Sequence, residues 1–543
     1  MKIEPNVKKS SRHLRIFPLL ALVTLTANAA TTGPGEAEMS DAAAKKIWTF
    51  RTDDTVVKVA VSGNKQYIVG LENPTKSWNW TPNPSEVPLL SHVSFGSTNL
   101  PMTPDWVYRD AMVEKSAGEY KVTLRFTSST PNLELKSYWQ ARKGCGPVEN
   151  WMTVENKTGQ NVIYKYADVI SSCLTAVADG KVDLWRFRRE FVGRNDGGVF
   201  VDSLSQNSKI VSLIQGDPID ILPYVVMDVG RTHGLYIGYG WDLGQFVNST
   251  GSDPQSVVTK FNLGDSGEIS EEDGKVLNIP YTFYGAYKGD VDDGCNNMKR
   301  WFWNYKVPGS LRDNVGEPLV ELHVPFYDEA GWSSYLKAHP LKTWGVDLVK
   351  MDINWLIPGD HHLDWNPDPK KWPKGLTFGA MAHSNNLKDA LYMDYTYQGA
   401  NLATTQGREA QEQALLERYD KGWYDYWRTD GAPENQDTYL QHEGFIAVID
   451  FMIAKRPGFR WENCCNGGRI KSFDTAQRMT FMTTEDYAKA ITFRQAFYAN
   501  SYVLNPVQLK ADIALDWGDA HTVAWDKYNF RSGLLGAIMV CGS

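Results

Sequence analysis

Two segments of the chain end a short apolar run in a carboxylate. Residues 424–430 read YDYWRTD and finish at Asp430, while residues 482–487 read MTTEDY and carry Glu485 and Asp486. An apolar run that stops at an acid is typical of a parallel strand that delivers a side chain to the mouth of a barrel. Two carboxylates on two such strand ends are the minimum needed to cleave a glycosidic bond. Because the chain has 64 acidic residues, such pairs also arise by chance. The surrounding sequence must therefore decide whether this pair is catalytic.

The composition is ordinary for a globular protein with several domains. The 543 residues are 42% hydrophobic and 22% charged, and this length predicts two to four domains. A net charge of −8 without a basic patch argues against a nucleic-acid partner. The sequence shows no apolar run long enough to span a bilayer. The six cysteines are too few for a disulfide scaffold, and the sequence leaves their pairing open.

The first residues have the pattern of a secretory signal. Several basic residues precede a short apolar stretch from Ile16 to Ala27, and residues 27–29 read ANA, a small-x-small cleavage site. This pattern predicts a signal peptide at residues 1–29, a linker at residues 30–45 and a secreted or periplasmic protein. The signal carries five basic residues and one acidic residue, so its removal would shift the net charge from −8 to −12.

The hydrophobic periodicity of the chain changes between residues 308 and 318. Residues 46–308 contain short period-two runs separated by Gly, Pro, Asn and Asp clusters, which predicts a large β-sandwich domain. Examples are Val56–Val61, Tyr120–Phe126, Glu134–Gln140, Glu149–Val154 and Leu235–Tyr239.

Residues 318–543 alternate strand and helix patterns, which predicts a (β/α)8 barrel. The strand candidates are Leu319–Val324, Asp347–Asp352, Ala390–Tyr395, Asp425–Asp430, Gly458–Glu462, Thr480–Thr484, Val507–Ile513 and Leu534–Val540. The helix candidates between them are Ala330–Lys337, Glu409–Asp420, Tyr439–Lys455 and Tyr487–Ala499. Asp430 then closes strand four and Thr484 closes strand six, so their ends can face each other across the mouth. The chain stops just after the eighth candidate, so we expect a C-terminal domain to be absent or truncated.

Motifs at the predicted strand ends match one family pattern. They are the sandwich end at residues 287–301, MDINW at 351–355, WPKGL at 372–376, RTD at 428–430, WENCCNGGR at 461–469 and TTED at 483–486. With these motifs the chain resembles the clan D retaining α-glycosidases, glycoside hydrolase families 36 and 27, which include α-galactosidases. The resemblance to family 36 implies a multidomain fold, with an N-terminal antiparallel β-supersandwich followed by a TIM-type (β/α)8 barrel.

The resemblance also implies catalytic roles for the acids of strands four and six. Asp430 matches the nucleophile of the family's K-W-D-like motif, with Arg428 in place of the lysine. At strand six the family 27-like register selects Asp486 as the acid/base and is the register we favour, whereas the family 36 register selects Glu485. Arg428 lies two residues before Asp430, on the same side of the strand, so its charge would keep Asp430 ionised. The alternative for this pair is a structural salt bridge.

Substrate contacts are expected from strands two, four and five. The candidates are Asp352, Trp355, Arg428, Glu462, Cys464, Gly467 and Arg469. Asp352 matches the first acid of a DDGW-like motif that binds sugar hydroxyls, and Ile353 replaces the second. The alternatives are a strand-end cap for Asp352, core packing for Trp355 and a buried acid that orients its neighbours for Glu462.

These observations predict an exported retaining α-glycosidase, most similar to an α-galactosidase, that acts on an oligosaccharide or glycan without a cofactor or metal. A transglycosylase of the same family remains open, because Ile353 alters the site that recognises sugar hydroxyls. A noncatalytic carbohydrate-binding protein on a decayed barrel is the alternative from another class. A metal-dependent hydrolase that uses His361 and His362 is a third. The oligomeric state is not predicted.

Overall fold

The computed structural model describes residues 35–39, 46–95, 101–165, 171–189, 196–214, 220–241, 243–262, 268–271, 274–313, 319–323, 325–358, 363–430, 439–468, 470–485, 490–513 and 527–541. All of these residues belong to one structural unit, Gly33–Ser543. The predicted signal peptide lies outside the described residues, so it stays a prediction.

The segment predicted as a linker, residues 30–45, contains a strand. β1 (Gly35–Met39) pairs antiparallel with β2 (Lys46–Arg51). Its sequence, GEAEM, alternates small or apolar residues with Glu but has no β-branched or aromatic residue, and strands are depleted in Gly, Ala and Glu. The sequence prediction was wrong here because the strand depends on backbone pairing with a neighbour and not on local preference.

Twenty further strands follow β2 in the described part of the N-terminal half. They are β3 (Val56–Ser62), β4 (Lys65–Asn73), β5 (Trp78–Asn79), β6 (Ser85–Val87), β7 (Ser94–Phe95), β8 (Val107–Lys115), β9 (Glu119–Ser129), β10 (Asn132–Arg142), β11 (Val148–Asn156), β12 (Val162–Lys165), β13 (Ser171–Val177), β14 (Val182–Arg188), β15 (Val199–Ser203), β16 (Lys209–Leu213), β17 (Ile221–Val229), β18 (His233–Tyr239), β19 (Gln245–Thr250), β20 (Ser256–Asn262), β21 (Glu268–Glu271) and β22 (Val276–Lys288).

The large sheets of this half pack face to face. Within the described ranges, a six-stranded sheet has the order β1-β2-β3-β4-β5 with β6 beside β4, and a nine-stranded sheet has the order β15-β14-β17-β18-β22-β11-β10-β9-β8. Smaller sheets have the orders β21-β12-β7 and β13-β20-β19-β16. The ring of Phe50 in β2 lies 5.3 Å from that of Tyr120 in β9 and 6.1 Å from that of Trp139 in β10. The predicted antiparallel sandwich is therefore confirmed.

The nine-stranded sheet also packs against the C-terminal half of the molecule. Every residue of β17 is buried, because Val225 and Met227 face the sandwich core while Tyr224 and Val226 join a second core. That second core includes Met298 of the helix α1 (Val291–Tyr305), which follows β22.

Helix α1 begins at a reciprocal cap. The Asp290 carboxylate accepts hydrogen bonds from the backbone of Asp292 and Asp293, and the Asp293 side chain accepts one from the backbone of Asp290. This arrangement satisfies backbone donors that a helix start leaves without partners, so α1 begins sharply at the sandwich edge.

The described residues after 318 close into a barrel of eight parallel strands, which confirms the predicted fold class. The strands are β23 (Val320–His323), β24 (Leu348–Met351), β25 (Lys388–Tyr392), β26 (Tyr426–Thr429), β27 (Arg460–Asn463), β28 (Phe481–Thr483), β29 (Leu509–Ile513) and β30 (Ala537–Cys541). The helices of this half are α2 (Gly309–Arg312), α3 (Glu329–Ala338), α4 (Phe378–Ser384), α5 (Thr405–Asp420), α6 (Tyr439–Lys455), α7 (Cys465–Gly468), α8 (Phe473–Ala476), α9 (Ala490–Val503) and α10 (Lys527–Ser532). Short 3₁₀ turns span Leu341–Trp344, Ile353–Trp355, Tyr397–Gly399 and Pro506–Gln508. None of the helices described here is long and apolar enough to cross a membrane.

One layer of side chains fixes the register of the barrel interior. Leu348, Ala390, Tyr426, Phe481 and Ala537 form a cluster of their own, and the rings of Tyr426 and Phe481 stack at 5.7 Å between centroids. Side chains two residues apart on a strand point to the same side. The next interior layers can therefore be read directly from the sequence of each strand.

Candidate active site

The layer above the apolar cluster is a closed ring of opposite charges. We call this set the charge ring; its members are Glu321, Lys350, Asp352, Arg428, Glu462 and Lys510. They come from β23, β26, β27 and β29 and from β24 with the residue after it. The ring lies toward the carboxyl ends of the strands, which is where barrel enzymes place their active sites.

Arg428 connects four neighbours within the ring and above it. Its guanidinium forms an ion pair with Glu462 and donates to Sγ of Cys464 at 3.1 Å. The same group lies 3.4 Å from Oδ2 of Asp430 and 3.9 Å from Oδ2 of Asp352. Because the Arg428 side chain is only 5% exposed, these contacts replace its hydration.

The two lysines complete the ring on its other side. The Nζ atom of Lys510 pairs with Glu462 and lies 3.2 Å from Oε1 of Glu321. The Nζ atom of Lys350 lies 4.0 Å from Oε1 of Glu321 and 3.6 Å from Oδ2 of Asp352. Each buried charge of the ring therefore has an opposite charge beside it, as buried charges require.

The ring sets the charge states of its acids. Burial opposes ionisation of Glu462, but Lys510 and Arg428 outweigh burial and lower its pKa to about 2. Burial likewise opposes ionisation of Asp352, and Lys350 and Arg428 still hold its pKa well below the usual range. For Glu321 burial and the charge of Glu462 prevail, and its pKa is raised.

Asp430 and Asp352 are the exposed edge of this arrangement. Their side chains are 24% and 18% exposed, whereas those of Glu321, Lys350, Glu462 and Lys510 are at most 1% exposed. Asp430 follows the last residue of β26, as the sequence predicts. A carboxylate that lies against a buried guanidinium and keeps 24% of its side chain exposed can approach a bound substrate.

Of the two acids after β28, the structure describes only Glu485. Asp486 lies outside the described residues, so its predicted role is untested. Glu485 is described and fully buried, and it lies two residues after Thr483 and four after Phe481, in the register that faces the barrel interior. The intervening Thr484 faces the other way, since its hydroxyl donates to the Lys510 carbonyl at 2.9 Å and its carbonyl accepts from Lys471 at 3.0 Å.

The turn after β27 brings the backbone close to the site. Cys464 is buried and accepts from Arg428, and Gly467 and Gly468 adopt φ values of 71° and 80°. A Cβ atom on Gly468 would collide with the carbonyl oxygen of Thr483, so only glycine fits there. Arg469 lies outside the described residues.

The side chains of Trp355 and Asp352 both form hydrogen bonds with the backbone of the barrel. Trp355 has no exposed surface, and its indole N–H donates to the Tyr392 carbonyl at 2.9 Å, which favours the core-packing alternative over a sugar platform. Asp352 uses Oδ1 to cap the turn at Ile353, at 2.8 Å, while Oδ2 points to the cations of the ring. The predicted cap and an exposed polar edge are thus present in one side chain.

Sequence reasoning missed Glu321, Lys350 and Lys510, although a signal was available. Residues 350–352 read KMD, 428–430 read RTD and 510–512 read KAD, so strands two, four and seven share a basic-x-Asp pattern. The pattern places a cation one layer below an acid on each strand.

Metal-ligating residues are placed elsewhere. Among the described residues, one possible metal-binding cluster lies at the opposite end of the barrel. It consists of His383, Asp389 and Asp425. His361 and His362 lie outside the described residues, so the metal hypothesis at that pair is untested.

Comparison with known proteins adds evidence on the fold. No protein-family model matches the sequence, and no curated protein sequence matches it. The α-galactosidase of Lactobacillus brevis superposes with a TM-score of 0.73 at 12% identity, covering 93% of this chain and 81% of that one. The family 36 α-galactosidase AgaB of Geobacillus stearothermophilus gives 0.73 at 12% identity, with 93% and 83% covered.

The galactosidase domain of an α-galactosidase–sucrose kinase also gives a TM-score of 0.73 at 12% identity, with 91% of this chain and 82% of that one covered. The fold is that of the family 36 α-galactosidases. This similarity supports the family 36 part of the sequence-based resemblance but not the family 27-like register of the strand-six motif.

Proposed function

We propose that the protein is a retaining α-glycosidase, with α-galactosides as the first substrates to test. The observation that carries the proposal is Asp430, a partly exposed carboxylate at the end of β26 that lies against the buried Arg428. The family 36-like fold supports the same reaction class, because the solved structures with this fold are named α-galactosidases.

Asp430 is the nucleophile in this proposal. A retaining enzyme needs an ionised carboxylate that attacks the anomeric carbon and forms a covalent glycosyl-enzyme, which water then hydrolyses. The Arg428 guanidinium lies 3.4 Å from Oδ2 of Asp430 and pairs with this carboxylate. Arg428 cannot turn freely toward solvent, because Nη1 donates to Glu462 and Nη2 donates to Cys464 as well as to Asp430.

The acid/base comes from the turn after β28. Retention requires its carboxyl group about 5–5.5 Å from that of the nucleophile. The interior register supports Glu485, which shares the side of Phe481 and Thr483. Asp486 remains the candidate of the family 27-like register. Substituting each in turn separates them, since loss of the acid/base lowers kcat by roughly 10²–10⁴-fold for substrates with poor leaving groups.

Asp352 is the proposed contact to sugar hydroxyls. Its ionised carboxylate can accept hydrogen bonds while Lys350 and Arg428 hold it in place. Ile353 offers no polar group where the family pattern has a second acid. The preferred sugar therefore makes one fewer charged contact at this position, which leaves an N-acetylated or otherwise altered sugar, and transglycosylation, within the proposal.

We also propose that the protein is exported, on the basis of the basic and apolar pattern of residues 1–29. Mass spectrometry of the mature protein from a bacterial periplasm or medium tests this directly. A mature chain that starts after Ala29 is expected, and an intact cytoplasmic chain that retains Met1 or Lys2 would contradict it.

Product analysis tests the reaction. A panel of α-glycosides is incubated with the full-length protein, and ¹H NMR follows the anomer that forms first. We expect α-anomeric product and loss of turnover in Asp430→Asn. A β-anomeric first product, or no turnover of any α-glycoside, would reject the proposal.

A noncatalytic sugar-binding protein is the second candidate. The observation that favours it is the replacement of the second strand-two acid by Ile353. In that case Asp430→Asn retains glycan binding, measured by calorimetry, and the wild-type protein has no hydrolysis or transglycosylation to lose.

A further inference from the structure

Three ligand-type side chains meet at the end of the barrel opposite Asp430. His383 lies near the end of α4, Asp389 is the second residue of β25, and Asp425 directly precedes β26. Asp425 is five residues before Asp430 on one strand, which at ~3.3 Å per residue separates the two ends by roughly 16 Å. This cluster is therefore distinct from the proposed sugar site.

The spacing of the three groups fits one small cation. Nε2 of His383 lies 2.9 Å from Oδ2 of Asp425 and 3.5 Å from Oδ1 of Asp389. One ligand atom from each residue can be chosen so that all three lie within 4.8 Å of one another. Ligands at ~2.0–2.1 Å from a tetrahedral Zn²⁺ are about 3.3–3.4 Å apart, and the two shortest separations bracket that value.

Asp389 provides the independent observation that points to a ligand. Its side chain has no exposed surface, and in the described part of the structure neither carboxylate oxygen has a hydrogen-bond partner of good geometry; the nearest cationic group is Nε2 of His383, at 3.5 Å. The adjacent Lys388 is turned elsewhere, since its Nζ atom lies over the Tyr426 ring. A buried carboxylate normally has a cation or a set of donors, so this position is incomplete without a further partner.

The remaining geometry favours a bound ion. The backbone N–H of Asp389 donates to Oδ2 of Asp425 at 3.2 Å, which orients that carboxylate toward the cluster. The His383 side chain is 47% exposed, so an ion can enter from solvent and keep a water molecule as its fourth ligand.

We propose that His383, Asp389 and Asp425 bind a divalent transition-metal ion, best matched by Zn²⁺, as a structural clip at the amino ends of the barrel strands. One imidazole and two carboxylates suit Zn²⁺, whereas Ca²⁺ takes six to eight oxygens and Mg²⁺ a near-ideal octahedron that usually keeps several waters. The ion joins the end of α4 to the starts of β25 and β26. This proposal does not depend on the proposed glycosidase activity.

A proton is the competing occupant. Burial and then the Asp425 carboxylate raise the pKa of Asp389 well above its usual value, so a metal-free site can hold a protonated Asp389 that donates to Asp425. The two occupants predict different responses to zinc: a metal site releases the proton and binds zinc, whereas a site that stays protonated binds none.

Metal analysis of the purified full chain separates them. The protein is stripped with chelator, dialysed against excess Zn²⁺, passed through a desalting column and analysed for bound metal. We expect one tightly bound zinc per chain, and a rise in Tm of about 2–4 °C at a Zn²⁺ concentration 100-fold above Kd. Mg²⁺ and Ca²⁺ at the same concentration should not raise Tm.

Two variants and a matched control complete the test. His383→Gln and Asp389→Asn should both lose the bound zinc and the zinc-dependent rise in Tm. His339→Gln removes a histidine that packs on Tyr335 and Trp344, and it should keep both. The His383 side chain is 47% exposed, so we expect its variant to fold. Wild-type protein without stoichiometric zinc, or zinc that survives both variants, would overturn the proposal.

Discussion

Glu462 and Asp389 are two carboxylates without exposed surface at opposite ends of one barrel. Glu462 lies between the cations Arg428 and Lys510, which lower its pKa to about 2. Asp389 is equally buried but faces the acid Asp425 and the half-exposed His383, and its pKa is raised. Burial disfavours the ionised form of both carboxylates, and only Glu462 has neighbouring cations that outweigh it. At the mouth the cations offset burial, whereas at the other end the acid Asp425 adds to it, at the position where we propose a metal ion.

The largest loss of stability should come from removing the charge of Glu462. Glu462→Gln leaves Arg428 and Lys510 buried without their shared partner, which should lower the free energy of unfolding by about 3–5 kcal/mol. Urea unfolding of the variant and the wild type measures this difference in free energy. Glu417→Gln removes an exposed acid paired with Lys421 and should leave the unfolding midpoint nearly unchanged. Equal midpoints for the two variants would mean that the charge ring does not stabilise the fold.

Acid should lower the contribution of the charge ring to stability. Because the folded pKa of Glu462 lies near 2 and the unfolded value near 4.5, its contribution is present above pH 4.5 and is lost as pH falls toward 2. At ~1.4 kcal/mol per unit, the loss over this window is roughly 3 kcal/mol. Urea unfolding at pH 5, 4 and 3 should show a steeper fall for the wild type than for Glu462→Gln. Parallel slopes would contradict the lowered pKa.

The ring should act as a coupled unit. Lys510→Met should also destabilise the protein, but the double variant with Glu462→Gln should lose less than the sum of the single losses, by about 0.5–3 kcal/mol. A double-mutant cycle from urea unfolding gives this coupling. Strict additivity would mean that Lys510 and Glu462 contribute independently.

The smallest effect is expected at the opposite end. In metal-free buffer Asp389→Asn removes a buried acid whose raised pKa makes its ionised form unfavourable. Its contribution to stability is therefore present below pH 4 and is lost as pH rises through the folded pKa. At pH 8 the variant should match the wild type or exceed it by about 1 kcal/mol. A loss as large as that of Glu462→Gln would show that both buried acids are paired alike.

The sequence is sufficient to predict the barrel and the position of Asp430. Each strand is local, and a run such as YDYWRTD contains its apolar residues, its cation and its terminal acid within seven positions. The predicted helices Ala330–Lys337, Glu409–Asp420 and Tyr439–Lys455 are confirmed within a few residues. For Tyr487–Ala499, the described residues place a helix at Ala490–Val503.

The partners of the charged residues could not be predicted in the same way. Glu321 and Lys510 meet although 189 positions separate them, and only barrel closure brings β23 and β29 into reach. The basic-x-Asp pattern shows that Lys350 and Lys510 face inward, but it does not say which acid each one meets. The role of Trp355 could not be predicted either, because a tryptophan suits both a sugar platform and a core. Only its complete burial in the structure distinguishes the two roles.

Covalent trapping tests the central claim most directly. The full-length protein is incubated with a fluorinated, slowly hydrolysed derivative of whichever α-glycoside the substrate panel selects, then digested and mapped by mass spectrometry. Asp430 as nucleophile predicts one glycosyl adduct per chain on the peptide that contains Asp430, and none in Asp430→Asn. Inactivation with the adduct on another residue, or steady turnover that never yields a labelled Asp430 peptide, would contradict it.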